Sequence, residues 1–317
     1  MQFTTLSRRK FFAAVLSLGC SLSALGQAGE TTPATTAMKA VADQVEGDWA
    51  DGRWNQVDVG PFMSAAINTP QGRTLKGIAI KVGDTSQATV CFNTELLGYS
   101  AAWSDGFLEF DSRRYGLTGS TKPKGRILFA NGMTPGWAHG GKLADPRPRQ
   151  LGSLPRNWAR YRGLYRHGNR VVLSYTVGET GVLETPWAGQ ADGRLFLTRT
   201  LEFDQVAKPL TGLIATKRGA TAVLQKISGL AVAQLPAGDE TLWVAALGQG
   251  TGLAVKNDRI LLTVQPGTAK RLAKVFIMQA PLGQAESVVA LAKANAVIEP
   301  PSRLASGGPG LWPPLAT

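Results

Sequence analysis

Short runs of strand-forming residues recur along most of the sequence, and each run ends in turn-forming residues. About sixteen such runs lie between Val57 and Gln279, at spacings near the roughly 8–12 residues typical of sandwiches and barrels. The 37 Gly and 18 Pro residues fit many short strands joined by turns, because both residue types interrupt long helices. We therefore expect an all-β fold, a large antiparallel β-sandwich or two packed sandwiches, with a β-propeller as the alternative.

Two segments depart from the strand pattern. Gln284–Ala296 carries Ala, Leu, Val and Lys at helical spacing before Pro300 and Pro301, which predicts one C-terminal helix. Residues 131–160 contain many glycines and prolines, which predict a long loop. We expect one β-rich domain over residues 49–298 and a Pro/Gly-rich tail over 299–317; a domain boundary inside the loop is the alternative.

The N-terminus has the order of an export signal. Ser7-Arg8-Arg9-Lys10-Phe11-Phe12 precedes an apolar run and then small residues, and it resembles the twin-arginine pattern. We expect a signal peptide over residues 1–26, a flexible lead over 27–48, and a periplasmic or secreted protein. An ordinary secretory signal and lipid attachment at Cys20 are the alternatives. The apolar run is shorter than the roughly 18 residues of a membrane span, so no transmembrane anchor is expected after cleavage.

Few residues are available for metal or redox chemistry. Two Cys and two His in the whole chain exclude a four-cysteine zinc site and a framework of several disulfides, and no CxxCH haem attachment motif occurs. We expect no metal site and no cofactor. Cys91 lies inside a strand-like run and is expected to be a small buried hydrophobe.

Arginines and aromatic residues are concentrated in the loop and just after it, in a chain of net charge +12. Guanidinium forks and aromatic faces suit carboxylates, phosphates and sugar rings, and nucleic acid is not expected after export. This pattern predicts a site for an anionic or carbohydrate ligand, or for an acidic partner surface. The alternative is that these side chains hold the loop on the sheet. The predicted ligand-binding residues are Trp137, His139, Arg147, Arg149, Arg156, Trp158, Arg160 and Tyr161.

An enzyme is the competing interpretation. Glycosidases and lyases can work with two carboxylates and no histidine, and Asp105, Glu109 and Asp111 form the densest acidic group. Glu109 and Asp111 are the candidate catalytic carboxylates, and a solvated strand face is the simpler account of them. His139 is the candidate for proton transfer. The sequence contains no Gly-x-Ser-x-Gly elbow, which argues against serine hydrolase chemistry.

The stretch Gly163–Gly178, which reads GLYRHGNRVVLSYTVG, resembles the domain of unknown function DUF6797. Six further pieces agree in order and extend the resemblance over residues 57–310: Lys76–Ile80, Tyr99–Phe107, Phe129–Asn131, Gly136–Ala138, Asp145–Arg149 and Leu154–Tyr161.

In that family the domain precedes propeller-like and cytochrome c modules of large exported proteins of planctomycetes and their relatives. The resemblance implies an accessory module that works with a periplasmic cytochrome or dehydrogenase-like partner or in carbohydrate processing, or a structural remnant of a larger cytochrome-containing protein. It transfers no catalytic residue.

Overall fold

Strands make up most of the computed structural model, which describes residues 57–110 and 121–305. Eighteen β-strands and one α-helix lie in this part of the chain. The strands are β1 (Phe62–Thr69), β2 (Gly72–Val82), β3 (Ala88–Asn93), β4 (Gly98–Ser104), β5 (Leu108–Glu109), β6 (Lys122–Pro123), β7 (Arg126–Ala130), β8 (Ala159–His167), β9 (Arg170–Val177), β10 (Thr180–Ala191), β11 (Arg194–Phe203), β12 (Leu210–Thr216), β13 (Val223–Ile227), β14 (Leu230–Ala237), β15 (Glu240–Leu247), β16 (Thr251–Lys256), β17 (Arg259–Val264) and β18 (Arg271–Ala280). Helix α1 is Ala285–Ala294, and a 3-10 turn follows at Pro301–Arg303.

The predicted signal peptide, Cys20 and the lead lie outside the described residues, as do Asp111 and the tail from residue 306 onward. No helix in the described ranges has both the length and the apolar character needed to cross a membrane.

The strands form four antiparallel sheets. One has five strands in the order β1-β2-β3-β4-β7, and one has eight in the order β13-β14-β15-β18-β11-β10-β9-β8. The other two contain β12-β17-β16 and β5-β6. The all-β prediction is confirmed. Sheets of such unequal size do not form the repeated four-stranded blades of a propeller.

The main core lies between sheets, as in a sandwich. Alternate residues of the eight-stranded sheet, such as Val182, Leu201 and Phe203, pack in one cluster with Phe92 of the five-stranded sheet and Leu262 of the three-stranded sheet. This cluster draws residues from both sides of the loop, so the loop does not separate two cores.

Two smaller clusters cover outer faces. Val288 and Val289 of α1 pack against Phe276 and Trp243 of the eight-stranded sheet, which explains why this helix is amphipathic. On the outer face of the five-stranded sheet, Leu108 and the fully buried Cys91 share a cluster. The buried, unpaired Cys91 confirms the interpretation of this residue as a small hydrophobe.

The hairpin turns follow from local sequence. His167 pairs with Arg170 and Lys256 with Arg259, as the turn residues between them predict. Strands β10 and β11 are joined by Asp192 and Gly193, both with positive φ, which is the combination a two-residue type I′ turn requires.

Candidate functional site

The centre of the long loop is fixed to the sheets by backbone hydrogen bonds. Gly136 N–H donates to Leu96 O at 2.7 Å, Ala138 N–H donates to Thr211 O at 2.8 Å, and Leu213 N–H donates back to Gly136 O at 2.8 Å. Trp137 lies between these bonds and is only 1% exposed. The loop therefore extends the core at this point.

Trp158 is buried against the same segment. Its Nε1–H donates to the carbonyl oxygen of Trp137 at 2.8 Å, and the exposed ring of His139 lies over it with 5.3 Å between ring centroids. Tyr161 is half-buried near Phe92, and burial raises its pKa to about 12. Neither indole presents a face to solvent, so neither tryptophan offers a surface on which a ligand can stack. The sequence places both among the predicted ligand-binding residues but does not reveal their burial.

Arg147 holds its own loop together. Its Nε and Nη2 donate to the carboxylate of Asp145 at 2.9 and 2.7 Å, and its Nη1 donates to the carbonyl oxygens of Leu151, Gly152 and Ser153 at 3.1, 3.0 and 2.7 Å. The hydrogen bonds from Arg147 hold the pKa of Asp145 below its ordinary value. This is the structural role that the sequence left as an alternative.

The other three predicted arginines, Arg149, Arg156 and Arg160, are exposed, and so is Arg162, which is not among the predicted ligand-binding residues. Within the described part of the chain, the side chains of these four arginines form no hydrogen bond or ion pair. We refer to Arg149, Arg156, Arg160 and Arg162 as the arginine surface. Arg162 also lines a shallow groove of about 260 Å³ together with Thr176 and Asp204.

The candidate catalytic residues are placed separately. Glu109 is exposed on β5 and forms an ion pair of 3.1 Å with Lys122 of β6, while Asp111 lies outside the described residues. His139 is exposed in a tight turn closed by hydrogen bonds with Lys142. The structure gives no contact between Glu109 and His139. In the described ranges, no three His, Cys, Asp or Glu side chains are grouped closely enough to hold a metal ion.

A buried polar group lies inside the main core. Glu184 accepts hydrogen bonds of 2.6 Å from both Arg199 Nε and the Tyr175 hydroxyl. Burial raises the pKa of Tyr175, and the negative charge of Glu184 raises it further. Burial would lower the pKa of Arg199, but the charge and hydrogen bond of Glu184 act together with the neighbouring hydroxyls of Tyr99 and Tyr175, and the pKa is raised. Arg199 shares the inward face of β11 with Leu197, Leu201 and Phe203. A charged residue in that alternation was the available sequence signal.

An open cleft of about 540 Å³ lies at one end of the sandwich, between the five-stranded and eight-stranded sheets. We call it the end cleft. Its apolar lining comes from core leucines and one isoleucine, among them Leu128, Leu242 and Ile277. Its main polar side chains are Asp105, Arg126, Gln190, Arg194, Glu240 and Gln279.

Two contacts join the sheets beside the end cleft. Gln279 Nε2 donates to Leu128 O at 2.7 Å, and Arg126 Nη1 contacts Glu240 Oε2 at 3.2 Å. The end cleft therefore brings together residues more than 100 positions apart. The sequence interpretation considered Asp105 but missed the rest, since their grouping depends on sheet packing and not on spacing.

Part of the chain matches the model of a known protein family. The family model described as "Domain of unknown function (DUF6797)" matches residues 90–184. No curated protein matches the sequence.

Among solved structures, the chain is similar to one described as a putative kojibiose phosphorylase from human microbiome, with 9% identity and a TM-score of 0.36. The match covers 66% of this chain and 32% of that chain, so this chain spans about a third of that protein. The predicted resemblance to DUF6797 is confirmed over residues 90–184.

Proposed function

We propose that this protein is an exported, non-catalytic binding module that holds an anionic ligand on its arginine surface. The observation that carries the proposal is that Arg149, Arg156, Arg160 and Arg162 are exposed and unpaired within the described part of the chain. Export rests on the Arg8-Arg9 pattern at the N-terminus.

The spacing of these arginines favours a ligand with several negative groups. Arg160 and Arg162 are two residues apart in β8, next to a register shift between Tyr161 and Gly163, so their Cα atoms lie at most about 7 Å apart. Arg156 is four residues before Arg160, at most about 14 Å away along an extended chain. A ligand carrying carboxylates or phosphates at such intervals can meet two or three guanidinium groups at once.

The ligand class that fits best is an acidic saccharide, such as a polyuronate. Because Trp137 and Trp158 are buried, recognition has to come from charge and from hydrogen bonds of the guanidinium forks. An acidic surface on an exported redox protein is the other expected partner, and the experiment below separates the two.

Binding of polygalacturonate to the full chain tests the proposal, measured by isothermal titration calorimetry at low and at physiological salt. The triple variant Arg156→Ala/Arg160→Ala/Arg162→Ala removes three charges from the arginine surface. The matched control, Lys208→Ala/Arg218→Ala/Lys226→Ala, removes three charges from exposed positions elsewhere.

We expect the arginine triple to weaken binding at least tenfold and the control to change it less than about threefold, with affinity falling as salt increases. Equal effects of the two triples would mean that net charge alone drives binding and would overturn the proposed site. A different result would point to a protein partner instead of a saccharide. In that case no polyuronate binds, and an acidic exported redox protein binds the unaltered protein but not the arginine triple.

A further inference from the structure

We propose that the end cleft is a second binding site, one that takes a neutral, hydroxyl-rich small molecule such as a mono- or disaccharide. The end cleft has a volume of about 540 Å³, within the range of about 300–1,000 Å³ found for small-molecule sites. It lies at the mouth of the sandwich and shares no lining residue with the arginine surface. The proposal therefore goes beyond the proposed function and does not depend on it.

The charges of the end cleft balance. Asp105 and Glu240 contribute two carboxylates, and Arg126 and Arg194 contribute two guanidinium groups. The Arg126–Glu240 pair is already formed at 3.2 Å, with 55% and 33% of the two side chains exposed. An ionic ligand would have to compete with this pair, whereas a neutral ligand with adjacent hydroxyls can donate to the carboxylates and accept from the guanidinium groups without separating charge.

One buried acceptor in the end cleft has no donor. Gln279 Nε2 is held by the carbonyl oxygen of Leu128 at 2.7 Å, and its Oε1 is buried without a hydrogen-bond partner in the described residues. A buried acceptor left without a donor costs about 1–3 kcal/mol, so such groups in native proteins call for a specific partner. Because Gln279 lines the end cleft, a ligand hydroxyl that displaces the neighbouring side chains can reach its Oε1 and supply that donor.

The floor of the end cleft is apolar. Leu128, Leu242 and Ile277 belong to the main core and line the end cleft as well. The carbon–hydrogen face of a sugar ring can cover these side chains while its hydroxyls reach the polar rim, a division of roles typical of small-molecule sites. Inorganic anions have no such face and are not expected to bind here.

The rim is held in place before any ligand binds. Asp105 has a φ of 65°, a left-handed conformation that Asp tolerates better than most residues, and its carboxylate accepts a hydrogen bond of 2.8 Å from the Ser104 hydroxyl. Next to it, a Cβ at Gly125 would lie 1.9 Å from the carbonyl oxygen of Ser104. Such close packing fixes the backbone that carries Asp105, and a fixed site loses less conformational entropy on binding.

The test measures binding of neutral sugars to the full chain by calorimetry: glucose, galactose, mannose, maltose and cellobiose, each tried singly. Glu240→Gln and Asp105→Asn keep the shape of the end cleft and remove one acceptor charge each. Asp239→Asn is the matched control, because Asp239 is the exposed neighbour of Glu240 and does not line the end cleft.

We expect at least one sugar to bind with a Kd of about 1 mM or tighter. Binding should weaken at least tenfold in Glu240→Gln or Asp105→Asn and change less than about twofold in Asp239→Asn. The arginine triple described above should leave it unchanged, so failure of one site is distinguishable from failure of the other.

A second measurement guards against a variant that folds poorly. In the unaltered protein, the side-chain amide NMR signal of Gln279, assigned by its loss in Gln279→Met, should shift when the sugar binds. Either of two results would overturn the proposal. The first is that no sugar binds at about 10 mM. The second is that a sugar binds, but the cleft variants do not weaken the binding and the Gln279 signal does not shift.

Discussion

The Nε atom of Arg199 lies 2.6 Å from Glu184 Oε1, and both side chains are removed from water inside an otherwise apolar core. Two opposite charges at this distance compensate each other, but each would be costly to bury alone. The pair therefore makes the surrounding core sensitive to the loss of either partner.

Replacing Glu184 tests this sensitivity. In Glu184→Leu the guanidinium of Arg199 stays buried without a counter-charge, so we expect the free energy of unfolding to fall by about 3–5 kcal/mol. Urea denaturation measures the change. Glu109→Ala, which removes an exposed ion pair with Lys122, is the control and should cost about 1 kcal/mol or less. A Glu184 variant no less stable than the Glu109 variant would contradict the argument.

Arg147 should affect stability, whereas Arg149 should not. Arg147→Ala removes the hydrogen bonds to Asp145 and to three carbonyl oxygens, and we expect a loss of about 2 kcal/mol. Arg149 is exposed and unpaired within the described residues, so Arg149→Ala should stay within about 0.5 kcal/mol of the unaltered protein. Thermal unfolding of the two variants side by side checks this, and equal melting temperatures would show that the Arg147 hydrogen bonds do not stabilise the loop.

The contact between Arg147 and Asp145 makes the stability of the protein depend on pH. Hydrogen bonding to Arg147 lowers the pKa of Asp145 in the folded state, so its stabilising contribution is present above the ordinary Asp pKa of about 3.9 and is lost as pH falls through the lowered value. We expect the stability difference between the unaltered protein and Asp145→Asn to shrink as pH is lowered below about 4. Urea midpoints measured from about pH 6 to pH 2.5 test this. A difference that grows on acidification would have the wrong sign.

Cys91 should be unreactive until the protein unfolds. Burial raises the pKa of its thiol to about 11, so the contribution of the neutral thiol to stability is complete below the ordinary Cys pKa of about 8.5 and is lost as pH rises through 11. In Cys20→Ser, which leaves Cys91 as the one thiol, a disulfide-forming reagent at pH 8 should react only after denaturant is added. Immediate reaction in the folded protein would contradict the burial of Cys91.

Gly136 is required by a close approach of two backbone segments. A Cβ at this position would lie 2.0 Å from Leu97 O and 2.6 Å from the Cα of Gly98. We expect Gly136→Ala to cost about 3 kcal/mol or more, since backbone atoms have to move. Gly140→Ala, in the same loop with a φ of 55° and open space around it, should cost only about 1–2 kcal/mol from backbone strain. Equal losses of stability in the two variants would remove the packing explanation.

The strands were largely predictable because their signals are local. The runs Arg170–Val177 and Arg194–Phe203 begin and end in the structure where alternation and turn residues place them in the sequence. Register and pairing order were not predictable, because strand β15 lies beside β18 and β18 beside β11, and such neighbours share no local signal.

The candidate sites, too, were only partly predictable from the sequence. A sequence names Trp137 as a large aromatic residue but does not say whether its ring faces solvent or core, and here it is buried. Asp105, Arg126 and Glu240 meet only after two sheets have packed, so no spacing rule finds them. The exposure of the arginines in the arginine surface was predictable, because charged side chains that cluster in the sequence usually remain at the surface of the folded protein.

Strand β8 is an edge of the eight-stranded sheet, so its outer backbone groups have no partner among the described strands. Such edges invite a second copy to pair and start aggregation. Arg160 and Arg162 place two positive charges on this edge, so two copies approaching edge to edge would bring like charges together, which opposes the approach. A polyanion that neutralises these arginines would also remove this protection, so the protein should become prone to self-association when its proposed ligand is in excess.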